Sequence, residues 1–575
     1  MKKVFEFLKK YRKESIFGPL FKLLEASLEL VVPPLVAAII DRGIDGGDTI
    51  YVWKMCGLLV LCGFVGLGFS LTAQYFAAKA SVRTVGALRG ALYRHITTLS
   101  PADIDRIGTP TLITRMTADQ NQVQSGLNLA LRLLLRSPFV VFGAMIMAFT
   151  IDSTAAGVFA GAIGMLCIVV FGIMLLTMPL YKKVQGNLDR VLSSVKENLT
   201  GVRVIRAFCK EEDEIRDFDG KNDELNRVQR RVGRLYALMN PLTYVILNMA
   251  VLLLLRVGAL KVDSGVLTQG QVIALYNYMS QILVELIKMA DLIINITKSV
   301  ASANRISAVF DMAPTMADNA APRDVQDASV TFSHVSLRYP KAGADALEDI
   351  DFSVRPGETV GIIGGTGSGK SSLVNLIGRF YDATGGEVKV GGVPVGDYPL
   401  HTLRRTIGFV PQKAVLFRGT LRDNLLFGNE NATDNDMYEA LRVAQASDIV
   451  EKKGGLTFPI TQGATNLSGG QKQRLTIARA LIRKPKILIL DDSASALDLA
   501  TDAALRRSIA ALPDAPTVFI VSQRTAAVMS ADKILVLDEG RVVGMGSHKD
   551  LLRDCPVYRE IYDSQFSGNK GGAAV

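Results

Sequence analysis

The sequence predicts two fold classes in one chain, an α-helical membrane domain of six spanning helices extended into the cytosol and an α/β domain on a largely parallel sheet. Three observations predict them. Six apolar segments of spanning length fill the first half. Strands alternate with helices through the second. Between one such strand and helix lies Gly364-Gly365-Thr366-Gly367-Ser368-Gly369-Lys370-Ser371, the spacing of a phosphate-binding loop.

Composition agrees with this division. At 575 residues the chain is too long for one ordinary domain. Hydrophobic residues make up 49% and mean hydropathy is +0.26, high for a wholly water-exposed protein. The net charge of +10 fits basic residues gathered on one membrane face. A nucleic-acid partner is not expected, because no basic patch interleaved with aromatics tracks a phosphate backbone. Five cysteines (Cys56, Cys62, Cys167, Cys209 and Cys555) show neither metal-ligand spacing nor a disulfide framework.

The chain opens with Lys2, Lys3, Lys9, Lys10, Arg12 and Lys13 among Val4, Phe5, Phe7, Leu8 and Tyr11 at helical spacing. This reads as an amphipathic helix on the cytosolic membrane surface, leading into a full span rather than a cleavable signal. Apolar segments follow at about residues 16–40, 55–79, 127–151, 156–180, 239–260 and 270–295. The connections at about 80–126 and 181–238 are long and rich in Lys and Arg, and the others are short and hold few. By the positive-inside rule, both termini and both long connections face the cytosol. Asn187–Leu199 and Asp213–Val228 mix polar and apolar residues at helical period, so the spans continue into the cytosol as helices and turn back there. Segments near Pro101–Leu112 and Thr200–Phe208 sit at the turns, either meeting the second half or serving as plain connections. On that side of the membrane the Asn198-Leu199-Thr200 glycosylation pattern has no meaning.

Ionisable residues inside spans mark functional sites by default. Glu25 and Glu29 lie four apart on the first span, with Lys22 within reach of Glu25. Asn277, Ser280, Gln281, Glu285 and Lys288 make one side of the sixth polar. Glu25, Glu29, Asn277 and Gln281 are therefore candidates for a substrate cavity. Glu285 and Lys288 also fit an intrahelical pair. Residues 1–311 form the membrane domain, 312–328 an Ala/Pro/Asp/Asn linker, 329–566 the α/β domain, and 567–575 a flexible tail.

Around the phosphate loop the residue types form one chemistry. Glycines let backbone N–H groups converge on phosphate oxygens at a helix N-terminus. Lys370 reaches the β- and γ-phosphates, and the Ser371 hydroxyl ligates Mg²⁺. About 120 residues later, Ile487-Leu488-Ile489-Leu490-Asp491 is a buried strand ending in the carboxylate that holds Mg²⁺ through its water shell. The chain binds a nucleoside triphosphate. Leu467-Ser468-Gly469-Gly470-Gln471 then offers a second anion cradle, which one site does not need.

With that second cradle the second half resembles an ATP-binding cassette domain, the five residues matching the family signature. The resemblance implies that Tyr339 stacks on adenine and that Gln412, in Phe409-Val410-Pro411-Gln412, links the γ-phosphate and Mg²⁺ to the membrane domain. Gly364 to Ser372 would hold the phosphates, and Ser495 and Asp498 would lie on the loop crossing a dimer interface. The six spans and long cytosolic connections resemble an exporter-type half-transporter. The resemblance implies ATP and Mg²⁺ as cofactors, a second half-transporter and membrane lipid as partners, an amphipathic small molecule as substrate, and a multi-pass place in the cytoplasmic membrane. It further implies a head-to-tail dimer, with each ATP between one chain's phosphate loop and the other's signature.

Two departures touch catalysis. The family places a general-base glutamate where this chain has Asp492, and a switch histidine where it has Gln523. One methylene fewer retracts the carboxylate by up to about 1.5 Å, and a misplacement of about 1 Å costs on the order of 10²-fold in rate. A glutamine amide donates a hydrogen bond but carries no imidazolium charge. Gln462 also replaces the glutamate usual just before the signature. Both catalytic losses weaken the site on this chain's own phosphate loop, whereas the signature lent to a partner is intact. The expectation is one half of a heterodimeric multidrug-type exporter whose partner keeps glutamate and histidine and has a degenerate signature. A slow homodimer, a lipid flippase and an exporter-fold siderophore importer are the alternatives. Soluble cassette ATPases of DNA maintenance lack the membrane half.

Overall fold

The computed structural model describes residues 1–316, 321, 323–340 and 342–566. The expected tail at 567–575 and part of the linker lie outside the described residues. The chain divides into two compact units, Met1–Thr97 with Pro110–Met312, and Thr98–Thr109 with the chain from Ala313 onward. A short piece of the first long connection thus groups with the second unit.

The first unit is helical throughout. α1 (Lys2–Leu8) passes through one tight turn into α2 (Arg12–Ala38), so the expected surface helix is almost continuous with the first span. α3 (Thr49–Thr98) precedes α4 (Pro101–Ile107), which belongs to the second unit, and α5 (Thr109–Met116), α6 (Ala118–Leu133) and α7 (Arg136–Ile151) follow. α8 (Ser153–Ala207), α9 (Glu211–Ala237), α10 (Met239–Asp263) and α11 (Gln269–Phe310) complete the unit. The 55 residues of α8 extend about 80 Å at 1.5 Å per residue, far more than a ~30 Å hydrocarbon core. The spans therefore do run on beyond the apolar region as helices.

Five helical stretches among the described residues are long and apolar enough to cross a bilayer. The sixth expected span falls within α11, which is not among them because Asn277, Ser280, Gln281, Glu285 and Lys288 lower its apolarity. The other side of α11 is apolar and buried within the unit. α11 packs against α2, α6, α7, α8 and α10, and Tyr278, Ile282 and Leu286 on it are buried. Its start is fixed by a capping box between Thr268 and Gln271. Asp41, in the π-helical turn Ile39–Ile44 after α2, accepts from Thr268 Oγ1 at 2.6 Å and from the Gly270 amide at 2.8 Å. A Cβ on Gly270 would stand 2.4 Å from the Ala37 carbonyl oxygen, so the close approach requires glycine.

Among the described residues the second unit holds three sheets. β1 (Val330–Leu337), β2 (Leu347–Val354), β4 (Gly385–Val390) and β5 (Val393–Pro394) form an antiparallel sheet in the order β2-β1-β4-β5. The larger sheet runs β12-β11-β3-β10-β9-β6, from β3 (Thr359–Gly364), β6 (Ile407–Val410), β9 (Ile487–Asp491), β10 (Thr517–Val521), β11 (Lys533–Asp538) and β12 (Arg541–Gly546). It is parallel except at β12. A two-stranded piece pairs β7 (Gly419–Thr420) with β8 (Pro459–Ile460).

Side-chain alternation explains the unbroken apolar strands. Ile487 and Ile489 of β9 enter one core with Phe519, Val521, Leu535 and Leu537. Leu488 and Leu490 enter the other with Val518, Ile520, Ile534 and Val536. Both faces of β9 are covered, so its apolar run needs no polar alternation.

Candidate functional site

Strand β3 ends at Gly364, and α12 (Lys370–Ile377) starts six residues later, so the phosphate loop sits at the carboxyl edge of the parallel sheet. Gly369, the N-cap residue, has φ 94°, and a Cβ there would lie 2.6 Å from the Ala346 carbonyl oxygen. Gly365, Thr366 and Gly367 form the exposed crest of the loop, while Ser368 and Lys370 are buried in it. Lys370 Nζ donates to the carbonyl oxygens of Gly364 (3.0 Å) and Gly365 (2.5 Å) and to Ser368 Oγ (3.2 Å). Burial holds this ammonium below its ordinary pKa, against the pull of Asp492 and Asp491. The lysine is thus folded over the cradle where phosphate oxygens would compete for it.

Ser371 Oγ donates to Asp491 Oδ1 at 2.9 Å, joining loop and β9. Burial pushes Asp491 above the usual carboxylate range, and neighbouring Asp492 adds to the shift. A buried carboxylate facing a hydroxyl, with Gln412 nearby in the sequence of β6's end, is an oxygen donor set suited to a hard divalent cation. Ser371, Asp491 and Gln412 are the residues that would hold Mg²⁺, which when bound neutralises charge on the phosphates.

Asp492 has φ 44°, a left-handed conformation uncommon for a residue other than glycine, and receives a hydrogen bond from Gln412 Nε2 at 3.3 Å. Ser495 Oγ donates back to the Asp492 carbonyl at 2.8 Å, and the Ser495 carbonyl accepts from Arg524 Nη2 at 3.3 Å. Asp498 caps the helix Leu499–Ala510, accepting from the Thr501 amide at 2.9 Å. Gln523 is exposed just after β10. Its carbonyl accepts from Gln565 Nε2 at 2.8 Å, and Gln565 Oε1 accepts from the Thr525 amide at 2.8 Å. Gln565 lies on the C-terminal helix Pro556–Phe566, and nothing in its local sequence marked it for this place.

At the other end of the loop, Tyr339 O–H donates to Ser372 Oγ at 2.9 Å. Tyr381 stands edge-on to the Tyr339 ring, with centroids 5.1 Å apart and planes at 86°. The Tyr381 hydroxyl donates to Asp105 of α4 at 2.6 Å. Asp103 of that helix is buried and accepts from the Thr315 amide at 3.0 Å. Burial would raise its pKa, but hydrogen bonds from Thr315 and Ser100 outweigh it and hold Asp103 below the usual range.

The second cradle is a helix start. Ser468 and Gln471 form a capping box for the helix Gly469–Leu481, with Gln471 N to Ser468 Oγ 3.3 Å and Ser468 N to Gln471 Oε1 3.1 Å. Leu467 is buried, while Ser468 and Gly469 are exposed. A Cβ on Gly470 would come within 2.9 Å of the Ala496 carbonyl, so the cradle packs on the Ser495–Asp498 loop. Gln462 is exposed in the turn just before it.

Sequence comparison accords with this geometry. Residues 15–286 match the ABC transporter transmembrane region and residues 347–495 the ABC transporter domain. A probable multidrug resistance ABC transporter ATP-binding/permease protein of Bacillus subtilis is 31% identical, over 100% of this chain and 99% of its own. The chain belongs to the ABC transporter family. An ATP-dependent lipid A-core flippase of Bordetella pertussis is 30% identical over 98% of this chain and 91% of its own. The fold is that of a bacterial Atm1-family ABC exporter with ATP bound, with TM-score 0.82, 23% identity, and 96% and 98% of the two chains covered. The ABC transporter thus carries a multi-pass helical membrane domain and an ATPase domain that binds ATP and couples its hydrolysis to transport.

In the membrane unit of the transporter, Lys22 Nζ pairs with Glu25 at 2.6 Å, as its spacing suggested. Glu29 pairs with Arg136 of α7 at 2.7 Å, and Arg136 also reaches Glu285 at 2.6 Å. Lys288 forms the intrahelical pair with Glu285 at 2.9 Å. Arg136 lies inside the span expected at about 127–151 and was not singled out there. Glu29, Asn277 and Gln281 line one cavity, and Glu25 and Glu29 line another.

Proposed function

We propose that this chain is one half of a heterodimeric exporter that moves amphipathic small molecules or lipids by alternating access, and that its own ATP site is catalytically degenerate. One observation carries the reading. The residue at the base position is Asp492, whose short side chain hydrogen-bonds to Gln412, while the signature Leu467–Gln471 retains its full pattern. A general base must come within hydrogen-bond reach of the attacking water. Here the carboxylate is one methylene short, and Gln523 cannot supply the charge of a histidine.

On this reading the partner brings glutamate and histidine, and this chain's Ser468–Gln471 completes the productive site. Its own site clamps ATP, with Tyr339 under the adenine, Gly364–Ser372 around the phosphates and Ser371, Gln412 and Asp491 on Mg²⁺. Ser495 and Asp498 face the partner. ATP favours the closed pair of cassettes by its differential affinity for that state, and the long helices carry closure into the membrane domain. Residues 1–311 serve as membrane domain and 329–566 as cassette, joined by 312–328, with both termini on the cytosolic side of the cytoplasmic membrane.

The multidrug-named relative supports export of amphipathic molecules. The flippase-named relative supports a second reading, a homodimer that flips lipids. Purification decides between them. A heterodimeric half co-purifies with an unlike half-transporter, and alone hydrolyses ATP slowly. Rapid hydrolysis by purified homodimer, abolished by Asp492→Asn, overturns the degenerate-site reading.

A further inference from the structure

Two cavities meet at Glu29. The first, of about 540 Å³, lies among α2, α7 and α11, and its polar wall includes Glu29, Arg136, Asn277, Gln281, Glu285 and Lys288. The second, of about 520 Å³, lies between α2 and α3 and is lined chiefly by Leu28, Val32, Leu59, Leu67 and small residues of α3, with Glu25, held by Lys22, on its α2 wall. Glu29 and Val32 border both. A polar chamber therefore adjoins a largely apolar one.

The charges of the polar chamber divide into held and offered groups. Arg136 and Glu285 are buried, with side chains 7% and 4% exposed. Glu285 spends its oxygens on Arg136 Nη1 (2.6 Å), Lys288 (2.9 Å) and Ser137 Oγ (2.8 Å). Arg136 Nη2 spans both oxygens of Glu29 at 2.9 and 2.7 Å. Glu29 and Lys288, by contrast, are 42% and 45% exposed. A carboxylate accepts at about four lone-pair positions and an ammonium donates three hydrogens, so each keeps capacity to spare. Gln281 Oε1, on the same wall, is buried with no hydrogen-bond partner. The chamber thus presents one anion, one cation and one vacant acceptor, with the buried pair balancing them.

Resting on the export reading above, we propose that the two cavities form one substrate site for a zwitterionic amphiphile. The substrate's ammonium would meet Glu29 and Gln281 Oε1, its phosphate or carboxylate would meet Lys288, and its hydrocarbon would fill the space between α2 and α3. A purely cationic amphiphile is repelled by Lys288 and a purely anionic one by Glu29. The exclusion of both is what gives the site its selectivity.

The test uses the complete transporter in proteoliposomes and three fluorescent probes with the same short acyl chains. Their heads are phosphoethanolamine (zwitterionic), phosphoglycerol (anionic) and trimethylammonium (cationic). ATP-driven movement of each is followed by loss of quenching at the outer surface. The unaltered transporter should favour the phosphoethanolamine probe by about tenfold or more, the scale of one hydrogen bond to a charged group. Glu29→Gln should shift preference toward the anionic probe, and Lys288→Gln toward the cationic one. These opposite shifts are not produced by general damage. Should Glu29→Gln fail to assemble, Lys288→Gln decides alone, since the ion pair Lys288 makes among the described residues is with Glu285 on its own helix. Movement with no charge preference, or a preference that neither variant moves, overturns the zwitterion site and leaves export standing. Movement of none of the probes also overturns the zwitterion site, and the export reading falls only if ATP drives no movement of amphipathic drugs either.

Discussion

Gln412 Nε2 donates to Asp492 Oδ2 across 3.3 Å, and the sheet register places them there. β6 and β9 run parallel with Val410 opposite Leu490. Two residues further on, past the end of each strand, are Gln412 and Asp492, so the two side chains emerge side by side. The amide thereby occupies one oxygen of the carboxylate.

Asp492→Glu therefore tests the shortfall directly. Restoring the missing methylene should raise phosphate release at this site by about 10- to 100-fold, the cost of a misplacement of about 1 Å. Asp492→Asn should change it by less than about twofold, since a group already out of reach contributes little as a base. Single-turnover hydrolysis, in an assembly whose partner site is disabled, measures both. An Asp492→Asn loss as large as that seen for a working base contradicts the account.

Gln523→His should add to that gain, and more so alongside Asp492→Glu than alone, because residues acting on one transition state are not additive. Gln565 sets the limit. It holds the Gln523 carbonyl and the Thr525 amide with its two amide ends. Gln565→Ala should remove about tenfold of what the new histidine contributes, through loosened placement, while ATP affinity stays unchanged. The cycle of single and double variants separates placement from binding.

Lys370 links ATP affinity to pH. Burial depresses its pKa from the ordinary 10.5. Bound phosphates favour the charged form, so binding raises that pKa and takes up protons wherever the free site has begun to lose its own. Affinity should hold at neutral pH and weaken as pH climbs toward 10, earlier than an unperturbed lysine allows. Calorimetry at pH 9 in two buffers of different ionisation enthalpy should reveal proton uptake, lost in Lys370→Met. Equal heats in both buffers would show that the lysine remains fully charged when empty.

The nucleotide site was legible in the sequence because its residues lie in short runs whose chemistry depends on spacing. Gly364–Ser371, Ile487–Asp491 and Leu467–Gln471 each combine an element boundary with a polar group, and the folded chain sets each at such a boundary. Pairings between distant segments were not legible. Arg136 meets Glu285 across 149 positions and Gln565 meets Gln523 across 42; Arg136 stood out only as a charge inside an expected span, with nothing local to name its partner, and Gln565 carried no local pattern. α11 was legible as a span with one polar side. That side lines a cavity, while its apolar side packs on several helices.

Asp105 and Tyr381 supply the last prediction. Sequence alone left Pro101–Leu112 between a contact and a plain connection, and Tyr381 O–H on Asp105 ties α4 to the Tyr339 ring, the residue proposed to stack on adenine. Tyr381→Phe keeps the edge-on ring and removes only the hydroxyl. ATP affinity should stay within about twofold, whereas stimulation of hydrolysis by transported substrate should fall by about fivefold, the worth of a hydrogen bond near 1 kcal/mol. Asp105→Asn should do the same, and the double variant should be no worse than either single, because both remove one interaction. Additive losses would mean that the two residues act separately and that the bond between them transmits nothing.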